Sequence, residues 1–167
     1  MVSRSTLSSE RNAAGGAVAA RRQFRDLVQL ARNTVRDGRP AVEDPSVRQR
    51  LVELDGYVTA AEYSGYRQLT CDARGQSPGI VGMMNKEISN SIGFMLANLG
   101  LDLIGDSGLE APDRQLPGPG EGTARWVGEF MFARGFAIAG GTANIQRNII
   151  GERGLGLPRD FAAQRGK

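Results

Sequence analysis

Histidine is missing from this 167-residue chain and cysteine occurs once, at Cys71. Without an imidazole, most transition-metal sites and every His-based catalytic triad are excluded, and so are the paired Glu-x-x-His motifs of di-iron helical proteins. A single thiol rules out an internal disulfide. Lysine is nearly absent too, with only Lys86 and Lys167 beside the arginines. That bias reads as GC-rich codon usage rather than as selection for phosphate forks. No uninterrupted apolar run approaches the roughly 20 residues that a membrane span requires. The opening "MVSRSTLSSERN" lacks the apolar core and small-residue cleavage site of a secretory signal, so no export and a cytoplasmic location are expected. An excess of one charge is also lacking. The 21 bases and 18 acids are interspersed and leave a net charge of +3, which argues against a dedicated nucleic-acid surface.

What is present is helical periodicity. A 40% apolar and 23% charged composition is ordinary for a globular protein, and the length predicts one domain over 1–167. Ala17, Ala20, Phe24, Leu27, Ala31 and Val35 recur at steps of three and four, predicting a first helix that runs to about Arg36. The segment "DGRPAVEDP" breaks it, and Asp44-Pro45 is an N-cap and first-turn pair for the next helix. Val47, Leu51, Leu54, Val58, Ala61 and Gly65 form that helix's apolar stripe. After "ARGQSPG", Ser77-Pro78 opens a third helix with Val81, Met84, Ile88, Ile92, Met95 and Leu99 on one side. Gly105 to Gly122 reads as a long connection. Trp126, Phe130, Ala133 and Ala137 mark a fourth helix, interrupted at Gly135 and stopped by Gly140-Gly141, where the missing Cβ disfavours continuation. Thr142 is placed to cap a short fifth helix, "ANIQRNIIGER". No repeat and no strand-like alternation appear. The expected fold is all-α, an antiparallel four-helix bundle plus a short C-terminal helix.

Such a bundle does not by itself specify a function. The glycine-rich "GDSG" and "PGPGEG" lack the phosphate-loop pattern. Gly140-Gly141-Thr142 remains as a candidate, because residues without Cβ let a ligand approach the backbone and the next helix presents free amides. A helix-breaking turn capped by threonine explains the same residues without any ligand.

The segment "FARGFAIAGGTANIQRNIIGERGLGLPRD", above all its Gly-Thr turn followed by Ile-Gln-Arg, closely resembles the terminal motif of acyl-CoA dehydrogenases. "LSSERNAAGGAVAA" looks like the opening of that family's C-terminal domain. "VRQRLVELDGYVTAAEYSGYRQL" is similar to its second bundle helix, in the manner of bacterial, including actinobacterial, members. The whole chain thus resembles the last third or so of a full-length member, without the N-terminal helical and middle β domains.

The resemblance implies removal of the α proton of an acyl-CoA thioester by a glutamate while FAD takes a hydride from the β carbon. Family members place that glutamate either just before the Gly-Thr turn or in a Glu-Arg pair at the start of the first bundle helix. Here the first position holds Gly140 and the second Glu10-Arg11. By resemblance, Glu10 is the base, as in members acting on branched or long acyl chains, and Arg11 is a substrate-binding residue. The Gly140 N–H would polarise the thioester carbonyl, and Gly141 and Thr142 would abut the flavin. An acid in the first turn of a helix is also favoured by the helix dipole alone, which is the other reading of Glu10. Some family features differ. The Arg-x-x-Phe-Gly pattern, whose arginine reaches a neighbouring subunit's FAD, appears as "TVRDGRPAV", with Arg36 out of register and Asp37 before Gly38. The Gln-x-x-Gly-Gly pattern appears as "DLIGDSG", with Asp102 and Asp106 replacing glutamine and glycine, and Asn144 stands where Glu or Gln is usual. The implied partners are an acyl-CoA substrate and further subunits, as a homo- or hetero-oligomer. Three readings follow: an enzyme portion, a non-catalytic oligomerisation subunit, or an unrelated helical module. The isolated chain is expected to bind FAD weakly and not to oxidise acyl-CoA.

Overall fold

The computed structural model describes residues 15–109 and 122–159. Four long helices, α1 (Gly15–Asn33), α2 (Pro45–Ala73), α3 (Ile80–Ile104) and α4 (Gly122–Ile138), form the expected antiparallel bundle, and α5 (Ala143–Ile149) is the short C-terminal helix.

α1 stops three residues earlier than its periodicity predicts. Thr34 N–H still donates to Leu30 O at 2.9 Å, but the chain then turns into a two-residue ladder, β1 (Val35–Arg36) with β2 (Arg39–Pro40). Asp37 and Gly38 take φ of 50° and 76°, the paired positive values of a two-residue hairpin turn for which Asp-Gly is a preferred sequence. Val35 is therefore 68% exposed rather than in the stripe, while Leu27 and Ala31 are fully buried.

Asp44 caps α2 as its sequence predicts. Its carboxylate accepts from Ser46 N–H at 2.7 Å and Val47 N–H at 3.3 Å, satisfying two of the helix's unpaired donors. The Ser46 hydroxyl, with these amides, holds the Asp44 carboxyl below the usual carboxylate range. Val47, Leu51, Leu54 and Val58 are buried along one stripe. At the far end Gln76 N–H donates to Cys71 O at 2.8 Å and Gly75 adopts φ of 63°, closing the helix in the left-handed manner that glycine permits.

α3 begins at Ile80, after Gly79, rather than at Ser77-Pro78. It packs against all four other helices. Its centre and C-terminal half carry the core residues Ile92, Leu96, Leu99 and Leu103, with Ile88 and Met95 partly buried against them. Near its start, Met84 is 40% exposed and lies outside the core stripe. Ile80–Leu109 is also long and apolar enough, by length and composition, to cross a membrane, contrary to the reading of the sequence; within the bundle that apolarity serves a central helix flanked by others.

α4 runs unbroken through Gly135, since neighbouring contacts outweigh the roughly 1 kcal/mol propensity cost of one glycine. Trp126 of α4 is 4% exposed and lies on Gly100 of α3. Between α1 and α2, Arg21 binds Asp55, donates to Glu62 Oε2 at 2.7 Å and to Thr59 Oγ1 at 2.8 Å. The hydrogen bond from Arg21 is the main cause that holds the Glu62 carboxyl below its usual range.

Two outcomes test this packing. A Cβ on Gly100 would sit 2.9 Å from Trp126 Cδ2 and closer still to Cε3, so Gly100→Ala is expected to cost about 3 kcal/mol of stability, measured by urea unfolding. Arg21→Met is expected to cost about 1–2 kcal/mol at neutral pH. The lowered Glu62 pKa contributes stability that is present above the ordinary glutamate pKa and lost as pH falls through the folded one. The variant's deficit should therefore shrink in acid melts.

Candidate functional site

Of the residues singled out by the sequence, Glu10 and Arg11 lie outside the described residues, whereas Gly140, Gly141 and Thr142 form the connection between α4 and α5. Gly140 and Gly141 have φ of 68° and 106°, a conformation that residues with side chains rarely adopt. The helix ends on Ala139 N–H to Gly135 O at 3.2 Å, and Gly141 N–H donates to Ile138 O at 3.3 Å. Among the described residues the Gly140 N–H has no backbone acceptor. Thr142 takes the N-cap position of α5 with extended backbone, but its side chain makes no capping hydrogen bond, which corrects the expected role. The turn is held from behind by another residue. Gln146, 2% exposed, donates through Nε2 to Gly140 O at 2.9 Å. Sequence reading placed Gln146 within the motif but gave it no role, because its partner is a carbonyl of the preceding turn rather than a helix neighbour.

α5 is tied to the bundle by Arg147 to Glu87 of α3 at 2.5 Å. After α5, Ile150–Gly154 widens into a π turn, where a Cβ on Gly154 would come within 2.9 Å of Ile80 Cγ1 at the start of α3. The "IIGERG" segment thus uses a glycine to lie against α3. On the other side of the turn, Lys86 Nζ donates to Phe136 O at 2.6 Å and stands 3.3 Å from the Phe136 ring centroid, binding the last turn of α4 to α3.

Beside this end of α4 is a cavity of about 260 Å³. Ala20 of α1, Ala61 of α2, Gly93 of α3 and Ala133 of α4 contribute to its walls, and Phe132 and Phe136 to its rim. Gln23 Nε2 donates to both oxygens of Glu129 at 3.0 Å along one wall. Gly16 and Ala17 also border it, six and seven residues after Glu10, while Phe136 precedes Gly140 by four. The helix start that follows Glu10 and the helix end that leads into Gly140 therefore border one cavity.

At the opposite end of α3, Asp102 accepts from Arg50 Nη1 at 2.6 Å and lies 3.4 Å from Arg36 Nη2, which also donates to the Asp102 carbonyl. The hairpin arginine is thereby folded onto its own protomer. Among the described residues, no group of three or more Cys, Asp or Glu side chains is placed to hold a metal ion.

The profile described as "Acyl-CoA dehydrogenase, C-terminal domain" matches residues 1–155. The chain belongs to the acyl-CoA dehydrogenase family. It is 32% identical over 167 residues to acyl-CoA dehydrogenase IpdE1 of Mycobacterium tuberculosis, covering 95% of this chain and 38% of that protein. With IpdE1 of Mycolicibacterium smegmatis the identity is 30% over 161 residues, covering 95% and 37%. The chain thus spans well under half the length of these curated relatives. Among solved structures, the Tcur3481-Tcur3483 steroid acyl-CoA dehydrogenase superposes with a TM-score of 0.69 at 21% identity, over 92% of this chain and 38% of that one. The ChsE4-ChsE5 complex of Mycobacterium tuberculosis gives 0.62 at 19%, over 89% and 37%. These last two establish the fold.

The turn makes its own test possible. Gly141→Ala combines a forbidden φ with a Cβ 3.0 Å from Gln146 Nε2, and Gln146→Ala removes the bond to the Gly140 carbonyl. Each is expected to destabilise by about 1–3 kcal/mol and to increase amide exchange at residues 139–142 more than in α2, as read by hydrogen–deuterium exchange.

Proposed function

We propose that this chain forms one wall of the active site of an FAD-dependent acyl-CoA dehydrogenase, with Glu10 as the base. The reading is carried by the Gly140-Gly141 turn, whose backbone is locked by buried Gln146 beside a cavity that the residues following Glu10 also border. A thioester α-CH is a weak acid, so deprotonation needs a carboxylate shielded from water and a donor aimed at the carbonyl oxygen that gains charge. Glu10 takes the α proton, and the Gly140 N–H stabilises the enolate-like oxygen. Arg11 helps to bind the substrate. The chemistry a bound FAD would supply is acceptance of the β hydride, so that loss of a proton and a hydride would leave the α,β double bond. Gly141 and Thr142 would help to hold the flavin, because Cβ-free backbone at the two glycines suits a close approach by that ring. Glycine at position 140 also avoids a second carboxylate, whose repulsion would perturb the first.

The remaining domains of the site, and hence turnover, come from polypeptide beyond these residues, in a homo- or hetero-oligomer of cytoplasmic location. A second reading, a non-catalytic subunit that supports an active partner, draws on Asp102. Its salt bridges to Arg36 and Arg50 support that reading, because arginines paired within the chain are less free to bind a dinucleotide phosphate of a neighbouring subunit.

Glu10→Gln, assembled with the missing domains, should retain bound flavin and lower kcat by about a hundred- to ten-thousand-fold. Unchanged turnover would leave only the supporting role.

A further inference from the structure

The last four carbonyls of a helix have no amide within it to bond, and at the end of α4 these belong to Gly135, Phe136, Ala137 and Ile138. Gly135 O takes the Ala139 N–H at 3.2 Å, and Ile138 O takes the Gly141 N–H at 3.3 Å. In a helix continued through the turn, Phe136 O would accept from the Gly140 N–H, four positions on. Here it accepts instead from Lys86 Nζ of α3 at 2.6 Å, and the Gly140 N–H has no backbone acceptor among the described residues. A charge-assisted bond of this kind is roughly twice as strong as one between neutral groups, so the ammonium holds the carbonyl against competition from the amide. The same ammonium stands 3.3 Å from the centroid of the Phe136 ring, which is itself stacked on Phe132 with centroids 5.7 Å apart. One nitrogen thus meets both the carbonyl and the ring of a single residue, an arrangement that suits a compact ammonium better than a planar guanidinium fork. Lys86 is one of only two lysines among 21 bases, in a chain whose composition otherwise favours arginine.

We infer that Lys86 is a positioning residue: by holding the Phe136 carbonyl it deprives the Gly140 N–H of its helical acceptor and leaves that donor for the thioester oxygen. The inference rests on the function proposed above. It also answers an electrostatic difficulty of that reaction. The C-terminal end of a helix carries partial negative charge from its unpaired carbonyls, which is a poor setting for an enolate-like oxygen. An ammonium on the last turn of α4 offsets that charge beside the turn where the oxygen would form. Lys86 acts through the end of α4 rather than on the reacting atoms.

Amide hydrogen exchange of the full 167-residue chain, resolved at Gly140 by NMR, tests the release of the donor. In the parent chain the Gly140 amide is expected to exchange faster than that of Ala139. Lys86→Met removes the ammonium and keeps an unbranched side chain, so the Gly140 N–H should turn to Phe136 O and exchange more slowly by about tenfold or more. Loss of a purely structural clamp would act the other way and speed exchange across residues 139–141. If Lys86→Met fails to fold, Lys86→Gln removes the charge alone and should slow Gly140 in the same direction by a smaller factor. A Gly140 amide as protected as Ala139 in the parent, or one that exchanges unchanged or faster in the variants, would overturn the inference. In the enzyme assembled with the missing domains, Lys86→Met should retain flavin and lower kcat about tenfold with less effect on KM, since the donor must first leave Phe136 O. A kcat equal to the parent's would remove Lys86 from the reaction. Neither flavin nor turnover enters the exchange measurement, so its failure leaves the assignment of Glu10 standing, and failure of the Glu10→Gln test leaves the exchange result intact.

Discussion

The burial of α3 among the other helices is the constraint on which the rest of the molecule depends. Its core face carries Ile92, Leu96, Leu99 and Leu103, and Trp126 of α4 closes on Gly100 with no room for a methyl group. That contact fixes how near α4 approaches α3. It thereby fixes where α4 ends, and the Gly140-Gly141 turn inherits its position. Lys86 and Glu87, on successive α3 residues, then hold the end of α4 and the side of α5. The turn at one end of the bundle is positioned by packing in the middle of it.

The two ends of α3 have different chemistry. Near its start lies the turn whose carbonyl is bonded by a buried amide and whose two glycines lack a Cβ, beside a cavity bordered by four helices. Near its end, Asp102 gathers Arg36 and Arg50 into an exposed ionic cluster. The first arrangement leaves space and a backbone donor for something from outside the described residues. The second satisfies its own charges internally.

The apolar stripes of α1 and α2 and the Asp44 cap were legible in the sequence because they depend on neighbours three or four residues apart, and the Gly-Gly turn because glycine's freedom is intrinsic. The hairpin at Asp37-Gly38 was legible in principle, since its turn residues are specific, but the helical stripe through Val35 masked it. Thr142 was assigned a cap that its side chain does not make. The amide that secures the turn is Gln146, whose burial depends on how α5 packs against α3. Glu10 and Arg11, the other half of the proposed chemistry, were singled out by resemblance and not by any local signal that separates a base from an ordinary first-turn acid.

By itself, then, the amino-acid order determined which segments are helical, which faces they bury, and that the chain turns back at Gly140, since each follows from short-range periodicity or backbone preference. Only the tertiary structure decided that Gly100 must lack a side chain, that Asp102 binds arginines 52 and 66 positions away, and that residues from four separate helices border one cavity. Those outcomes depend on distances between parts of the chain that pattern alone does not relate, because a helical stripe says which side is buried and not what it is buried against.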